Sequence, residues 1–560
     1  MLTLLTLTAS MAIAAPGEPT RRWEPFDIQF QAAEEHPWWE FPVRAEFTHE
    51  GSGEKLSVEG CWDGERRWLL RFTAPRAGIW SYRTTSKDRG LDDRSGRIEV
   101  RAPTATEIDR NPNLRGSVRV AGGGRHFEYA DGTPFFLLAD TAWAANTARC
   151  GLGEREDGPF FQYLADRRAK GFNAILMQYF HGYGDYPDSP GHRNEGGYTY
   201  FERDPARLNP AHFAALDRRM RGLWARGFVA AINATWWGKT RRCLFSPEDA
   251  RRVSAYCAVR YGAFNALWST AGEYQYVFKD CGWTEADVHS LGQTVQAHNP
   301  WRRPVSIHPS ARLDWAPPHN VQSSRPFHGA SWLDHHWLQT GQSDDRLFNI
   351  VTRLRDDRAL EPRMPLFLSE ALYESALDPD AAYHIRWQVW ASFLNGAAGY
   401  GYGAEGIYQF YDPADPKGEK GMEQRKPEHW RQALQFPGST QLAPAKKLLT
   451  SLHWWKLEPR RDTLRVNGKA NPLPTAEDLS SPHCAVIPDS VAIAYLPRGN
   501  ADREIALAIP FAAAGTARWF DPRVGQFVGE SLNPLSAPAW ILPARPAPAD
   551  DDWVLVVSRR

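Results

Sequence analysis

Net charge is missing from this 560-residue chain, in which 66 Lys and Arg face 66 Asp and Glu. With no excess field to draw a polyanion, no nucleic acid partner is expected. Long apolar runs are missing as well. Beyond the first residues nothing approaches the ~18 uninterrupted apolar positions of a membrane helix, so no membrane insertion is expected. Cysteine is sparse: Cys61, Cys150, Cys243, Cys257, Cys281 and Cys484 are scattered without a Cys-x-x-Cys pair, which argues against a zinc or redox motif. There is no H-E-x-x-H, no G-x-x-x-x-G-K-[ST], no G-x-S-x-G and no dinucleotide-binding glycine pattern in strand context. Metalloprotease, nucleotide-binding and α/β-hydrolase chemistries are set aside, and no cofactor is expected.

Material for packed cores is ample. Hydrophobic residues make up 42% and aromatics 12%, which excludes wholesale disorder. Tryptophan is unusually common, with 24 copies. Many stand beside Gly or polar residues, and indole faces suit the C–H faces of sugar rings, although most such residues serve as bulky core. Residues 1–15 form a short apolar run ending in Ala12-Ile-Ala14, the small-x-small pattern of an export signal, without the usual Lys or Arg at its start. A secreted or periplasmic protein is expected.

The length suits a barrel near 300 residues with two small modules. Residues 16–103 alternate apolar and polar in short runs with turn punctuation, which predicts a β-sandwich. Residues 104–460 begin with a hairpin around Asp131-Gly132. Eight apolar strand candidates then alternate with amphipathic helices, at 135–139, 174–178, 229–233, 266–268, 304–308, 329–332, 366–369 and 396–400. That alternation predicts parallel βα units and a (β/α)8 TIM barrel. Ser246 and Thr284 read as helix N-caps, 212–226 as an amphipathic helix and Ser439 as the cap of a last helix. The Gly-, Tyr- and Pro-rich stretch 180–208 is expected to be a substrate-shaping loop. Residues 461–560 return to short alternating runs and predict a second β-sandwich. The fold class is therefore α/β, a TIM barrel flanked by two all-β modules.

Two glutamates carry the chemistry. Glu273 and Glu370 each close a short apolar run, about three βα units of roughly 30 residues apart. Carboxyls after strands four and seven would converge on the C-terminal face of a barrel. Paired carboxyls there point to glycoside hydrolysis, with Glu273 as acid/base and Glu370 as nucleophile. Glu374 rivals Glu370 from four residues on. Asp140, after strand one, either binds a sugar hydroxyl or caps the next helix. Trp143, Asn233, Tyr274, His308, His336, Tyr373 and Tyr402 are further substrate-binding candidates. Asp334-His335-His336, read as following strand six, raises a metal site but lacks the usual ligand spacing. The rival classes are a non-catalytic carbohydrate- or matrix-binding protein and a metal-dependent barrel hydrolase.

Along essentially the whole mature chain these residues resemble the apiosidase-like glycoside hydrolases. In the first module the likeness rests on Trp62-Asp-Gly64, Arg71-Phe72 and Gly78-Ile-Trp-Ser-Tyr82. In the barrel it rests on Asp140-Thr-Ala-Trp143, Ser369-Glu370 with Tyr373-Glu374, and residues 268–273 and 396–403. Trp519-Phe-Asp-Pro-Arg523 and Asp552-Trp-Val-Leu555 are similar to a carboxy-terminal module of the collagen-binding type. The resemblance implies a β-sandwich before a (β/α)8 barrel, with Glu370 matching the Glu of a G-E-P-x-Y-E pattern and Glu273 the strand-four acid. Two places depart from it: Ala271-Gly-Glu273 stands where apiosidases tend to have Gly-Gly-Asp, and Ser369 and Ala371 replace the Gly and Pro around Glu370. Hydrolysis is better supported by the likeness than apiose as substrate.

Overall fold

The computed structural model describes residues 19–179, 193–234, 246–311, 322–414, 427–508, 515–533 and 539–559. The expected export signal, Cys243 and much of the 180–208 loop lie outside them. Among the described residues no helix is long and apolar enough to cross a membrane.

Eight parallel strands form the central sheet: β1 (Leu137–Thr141), β2 (Ala174–Gln178), β3 (Val229–Asn233), β4 (Ala266–Ser269), β5 (Val305–Ser306), β6 (His336–Gln339), β7 (Leu366–Glu370) and β8 (Gly399–Tyr402). Their spatial order is β5-β4-β3-β2-β1-β8-β7-β6. Runs such as Ala174-Ile-Leu-Met177 are buried on both faces, as strands between a barrel core and a helix layer must be. The seam between β5 and β6 is closed by the residues just before β6, where the Asp334 N–H donates to the Val305 carbonyl (2.8 Å). The Ser306 hydroxyl donates to the His335 carbonyl (2.6 Å), and the Asp334 carboxylate accepts the Val305 N–H (2.9 Å).

The expected helix starts are borne out. Ser246 caps Pro247–Tyr261, Thr284 closes a capping box on Glu285–Ala297, and Pro210–Ala225 covers the predicted amphipathic run. Ser439 does not cap the last helix, Pro437–Ser451; it lies inside the first turn.

The sixth strand is a correction. Residues 329–332 form turns, and Trp332 packs on Gly292 and donates its indole N–H to His289 (3.1 Å). The strand is His336–Gln339, whose polar ends hide it from a hydropathy reading.

Before the barrel, a five-stranded and a three-stranded sheet enclose Ala45, Phe47, Leu70, Phe72 and Trp80. After it, a six-stranded and a four-stranded sheet enclose Trp519, Trp553 and Leu555. Buried ion pairs fasten both flanks. Arg71, in the first module, takes Asp27 and the barrel's Asp217 in its fork (2.8 Å each). Arg386, on the barrel helix Ala381–Leu394, is held by Asp552 (2.6 Å). Removing Asp552 would strand the buried charge of Arg386.

Candidate active site

Inside the barrel, Leu137 and Ala139, Ala174 and Leu176, Val229 and Ala231, Leu267, Trp337 and Phe367 form one apolar plug. Strand alternation carries the next inward position of each strand to its C-terminal end. There every side chain is polar: Thr141, Gln178, Asn233, Ser269, Gln339 and Ser369. Three of these residues have buried atoms without hydrogen-bond partners among the described residues, namely both amide atoms of Asn233, Oε1 of Gln339 and the Thr141 hydroxyl. Buried polar atoms are otherwise nearly always paired, so this layer is built to meet hydrogen-bonding groups from outside.

Glu370 reaches that layer through a bulge. Leu338 pairs with Leu368 but Gln339 pairs with Glu370, so Ser369 is an extra residue in β7. Such an insertion re-aims the side chain that follows it. The neighbouring strand makes room: a Cβ on Gly401 would come within 2.5 Å of the Ser369 carbonyl oxygen. The Glu370 side chain is nearly buried, and two donors orient it. Gln342 Nε2 donates to Oε1 (2.8 Å), and its amide orientation is forced because its own oxygen accepts the Tyr373 N–H (3.1 Å). His308 Nε2 lies 3.1 Å from Oε2.

Glu273 stands on the loop after β4, at the same C-terminal end of the parallel sheet. Its φ is 46°, in the left-handed region where a non-glycine residue is strained. The surrounding structure must hold it there, a pattern that clusters at functional sites. Its loop is bonded to the His308 segment: the His308 N–H donates to Ala271 (2.9 Å) and the Tyr274 N–H donates to the His308 carbonyl (3.2 Å). The segment that touches Glu370 therefore also fixes the Glu273 loop.

Trp143, His308 and Tyr373 gather around Glu370. The Trp143 indole donates to the Tyr373 hydroxyl (3.3 Å) and meets the His308 ring edge-on at 5.6 Å. Asn233 belongs to the polar layer. Four expected residues do not. β1 runs through Asp140 instead of ending before it, so the carboxylate points to the helix layer, where Arg167 and Tyr163 bond it at 2.6 Å each. Burial opposes the charge on Arg167, and the Asp140 carboxylate outweighs it, so the guanidinium pKa is raised. Tyr402, also within its strand, faces outward and donates to Glu374 (2.7 Å). Tyr274 is buried with its hydroxyl on the Ser323 carbonyl (3.3 Å). His336 opens β6 at the opposite, N-terminal end, paired with His328 (3.0 Å), because the sixth strand lies later than expected.

Glu374, the rival carboxyl, is committed elsewhere. It accepts the Gly438 and Ser439 N–H groups (2.7 and 3.2 Å) at the start of the last helix. The sequence reading missed Gln342 and the polar ends of β1, β2 and β6. Their signal was present: β2 and β6 each end in one polar residue after apolar ones, and β1 ends in two.

A parallel barrel with two carboxyls and orphaned hydrogen-bonding groups at its mouth is the architecture of a barrel glycosidase. Residues 121–456 match the family described as apiosidase-like, catalytic domain, and the chain belongs to that family. Residues 19–87 match a domain of unknown function, DUF5060. No curated protein matches. Among solved structures the fold is similar to a glycoside hydrolase at 19% identity, covering 80% of this chain and 98% of that one with a TM-score of 0.63. It is also similar to a glycoside hydrolase family 5 protein from Bacteroides vulgatus ATCC 8482 at 19% identity, covering 80% and 95%, TM-score 0.64. A further Bacteroides vulgatus ATCC 8482 structure matches over 97% of this chain and 100% of its own at 18% identity, TM-score 0.66.

Proposed function

We propose that this glycosidase cleaves O-glycosidic bonds of an oligo- or polysaccharide with retention of configuration, through Glu370 as nucleophile and Glu273 as acid/base. In this reaction the Glu370 carboxylate attacks the anomeric carbon while Glu273 protonates the departing oxygen. Glu273 then takes a proton from the water that releases the sugar. The observation that carries the reading is the Glu370 carboxylate, fixed by Gln342 and His308 beside a layer of buried, unpartnered polar groups. A sugar ring brings hydroxyls that donate and accept, which suits Asn233 and Gln339. The reaction calls for no cofactor. Export is supported by the apolar residues 1–15 and by the disulfide bond of Cys281.

The test is a screen of plant and bacterial glycans with the wild type beside Glu370→Gln and Glu273→Gln, with product anomers followed by proton NMR. Losses of about 10³-fold or more are expected in each variant, with the first-formed anomer matching the substrate. Undiminished turnover in either variant removes that residue, and an inverted first product removes the nucleophile role.

A further inference from the structure

Proton counting around Glu370 goes one step past the hydrolytic reading, on which it rests. The Ser369 hydroxyl has a single proton and donates it to the Leu338 carbonyl (2.9 Å). Its oxygen lies 3.2 Å from His308 Nδ1, and while the serine proton stays on that carbonyl serine accepts in this contact and Nδ1 carries the hydrogen. A neutral imidazole with its proton on Nδ1 has a bare lone pair on Nε2. That lone pair would face Glu370 Oε2 at 3.1 Å, and an ionised carboxylate is also acceptor-only. Two acceptors at that distance repel, so one proton must lie between them.

We propose that Ser369 is a positioning residue: through His308 it pins the imidazole as the Nδ1–H form, so that the contact between His308 and Glu370 exists only while they share one further proton. With Glu370 ionised for attack, His308 is then an imidazolium paired with it. Groups facing the His308 ring include Ser369 and Glu370 from β7, the Trp337 indole from β6 (5.5 Å) and the Trp143 indole after β1 (5.6 Å). Tyr373 stands behind Trp143, and the loop bearing Glu273 bonds the His308 backbone. The two indoles neither titrate nor offer Nε2 an acceptor through their rings. The carboxylate of Glu370 is the ionised group in contact with Nε2.

A pinned imidazole loses its contact with Glu370 when it loses the shared proton. A free one would not, because the remaining proton could move to Nε2 and keep donating. The experiment is long-range ¹H–¹⁵N NMR of the imidazole nitrogens against pH in the full-length protein. The His308 signals are assigned by their disappearance in His308→Gln, and Ser369→Ala and Ser369→Thr are compared with the wild type. In the wild type and Ser369→Thr, Nδ1 stays protonated on both sides of the His308 titration and only Nε2 changes. In Ser369→Ala, the neutral form carries its proton on Nε2. A wild-type neutral form protonated on Nε2, or the same tautomer in the wild type and Ser369→Ala, overturns the proposal.

This readout needs no turnover, so absence of hydrolysis would end the glycosidase reading and leave the tautomer result standing.

Discussion

Gly401 faces the backbone carbonyl of Ser369 so closely that a methyl group in place of its hydrogen would lie 2.5 Å from the oxygen. The bulge that aims Glu370 depends on this missing side chain in the adjacent strand. Gly401→Ala should push the bulge back and displace the carboxylate. We expect a loss of about 100-fold in kcat/KM, as for ~1 Å misplacements, with a stability cost of only about 1–3 kcal/mol. Kinetics and thermal melting of the same preparation check this. A variant that unfolds without a selective loss of rate would refute it.

Gln342 is the second device that orients Glu370. Gln342→Leu removes a hydrogen bond to an ionised group, worth about 1.5–3 kcal/mol, so kcat/KM should fall about 10- to 100-fold while the melting temperature barely changes. Activity within twofold of wild type would show that His308 alone suffices.

Glu374 and Asp140 should behave as structural acids. Glu374→Gln places an amide against two helix N–H groups and is expected to cost about 1–3 kcal/mol. Asp140→Asn leaves Arg167 with Asp166 (2.8 Å) as its carboxylate and removes a charge-assisted bond, at a cost of roughly 1.5–3 kcal/mol. In both, kcat and KM per folded molecule should stay within a few-fold of wild type. Denaturant unfolding together with active-site titration separates the two effects, and a 10³-fold loss in Glu374→Gln would reopen its claim to be the nucleophile.

Acid should weaken the fold through His335. Its ring lies inside the barrel floor, where it accepts the Trp337 indole N–H (2.8 Å), and burial lowers its pKa to about 3, with nearby His336 adding to the effect. The unfolded value is near 6.5. Between those values the unfolded chain binds more protons, so stability falls as pH drops through the window, by up to roughly 3 kcal/mol at pH 4. His335→Gln keeps the acceptor for Trp337 without titrating. Its melting temperature should fall less steeply than that of wild type from pH 6.5 to 4, and parallel curves would remove His335 as the cause.

Local order in the chain already determined the barrel, because apolar runs alternating with capped helices have one economical burial, strands inside and helices outside. It likewise placed Glu370 at the end of the seventh strand and Glu273 just after the fourth. The ends of the strands were harder to read. Asp140 and Tyr402 were placed beyond their strands, yet hydrogen bonding carries each strand one or two residues further, and period-two alternation turns both side chains to the helices. The sixth strand was hidden because His336 and Gln339 are polar, while apolar Trp332 served a helix contact. Only the tertiary structure decided which side chains hold Glu370, since Gln342 and His308 meet it from two segments outside its own strand. The room Gly401 leaves for the bulge was equally beyond a linear reading. Burial pattern is written locally in amino-acid order, whereas the direction of a single carboxylate depends on register and on atoms from strands far apart in the chain.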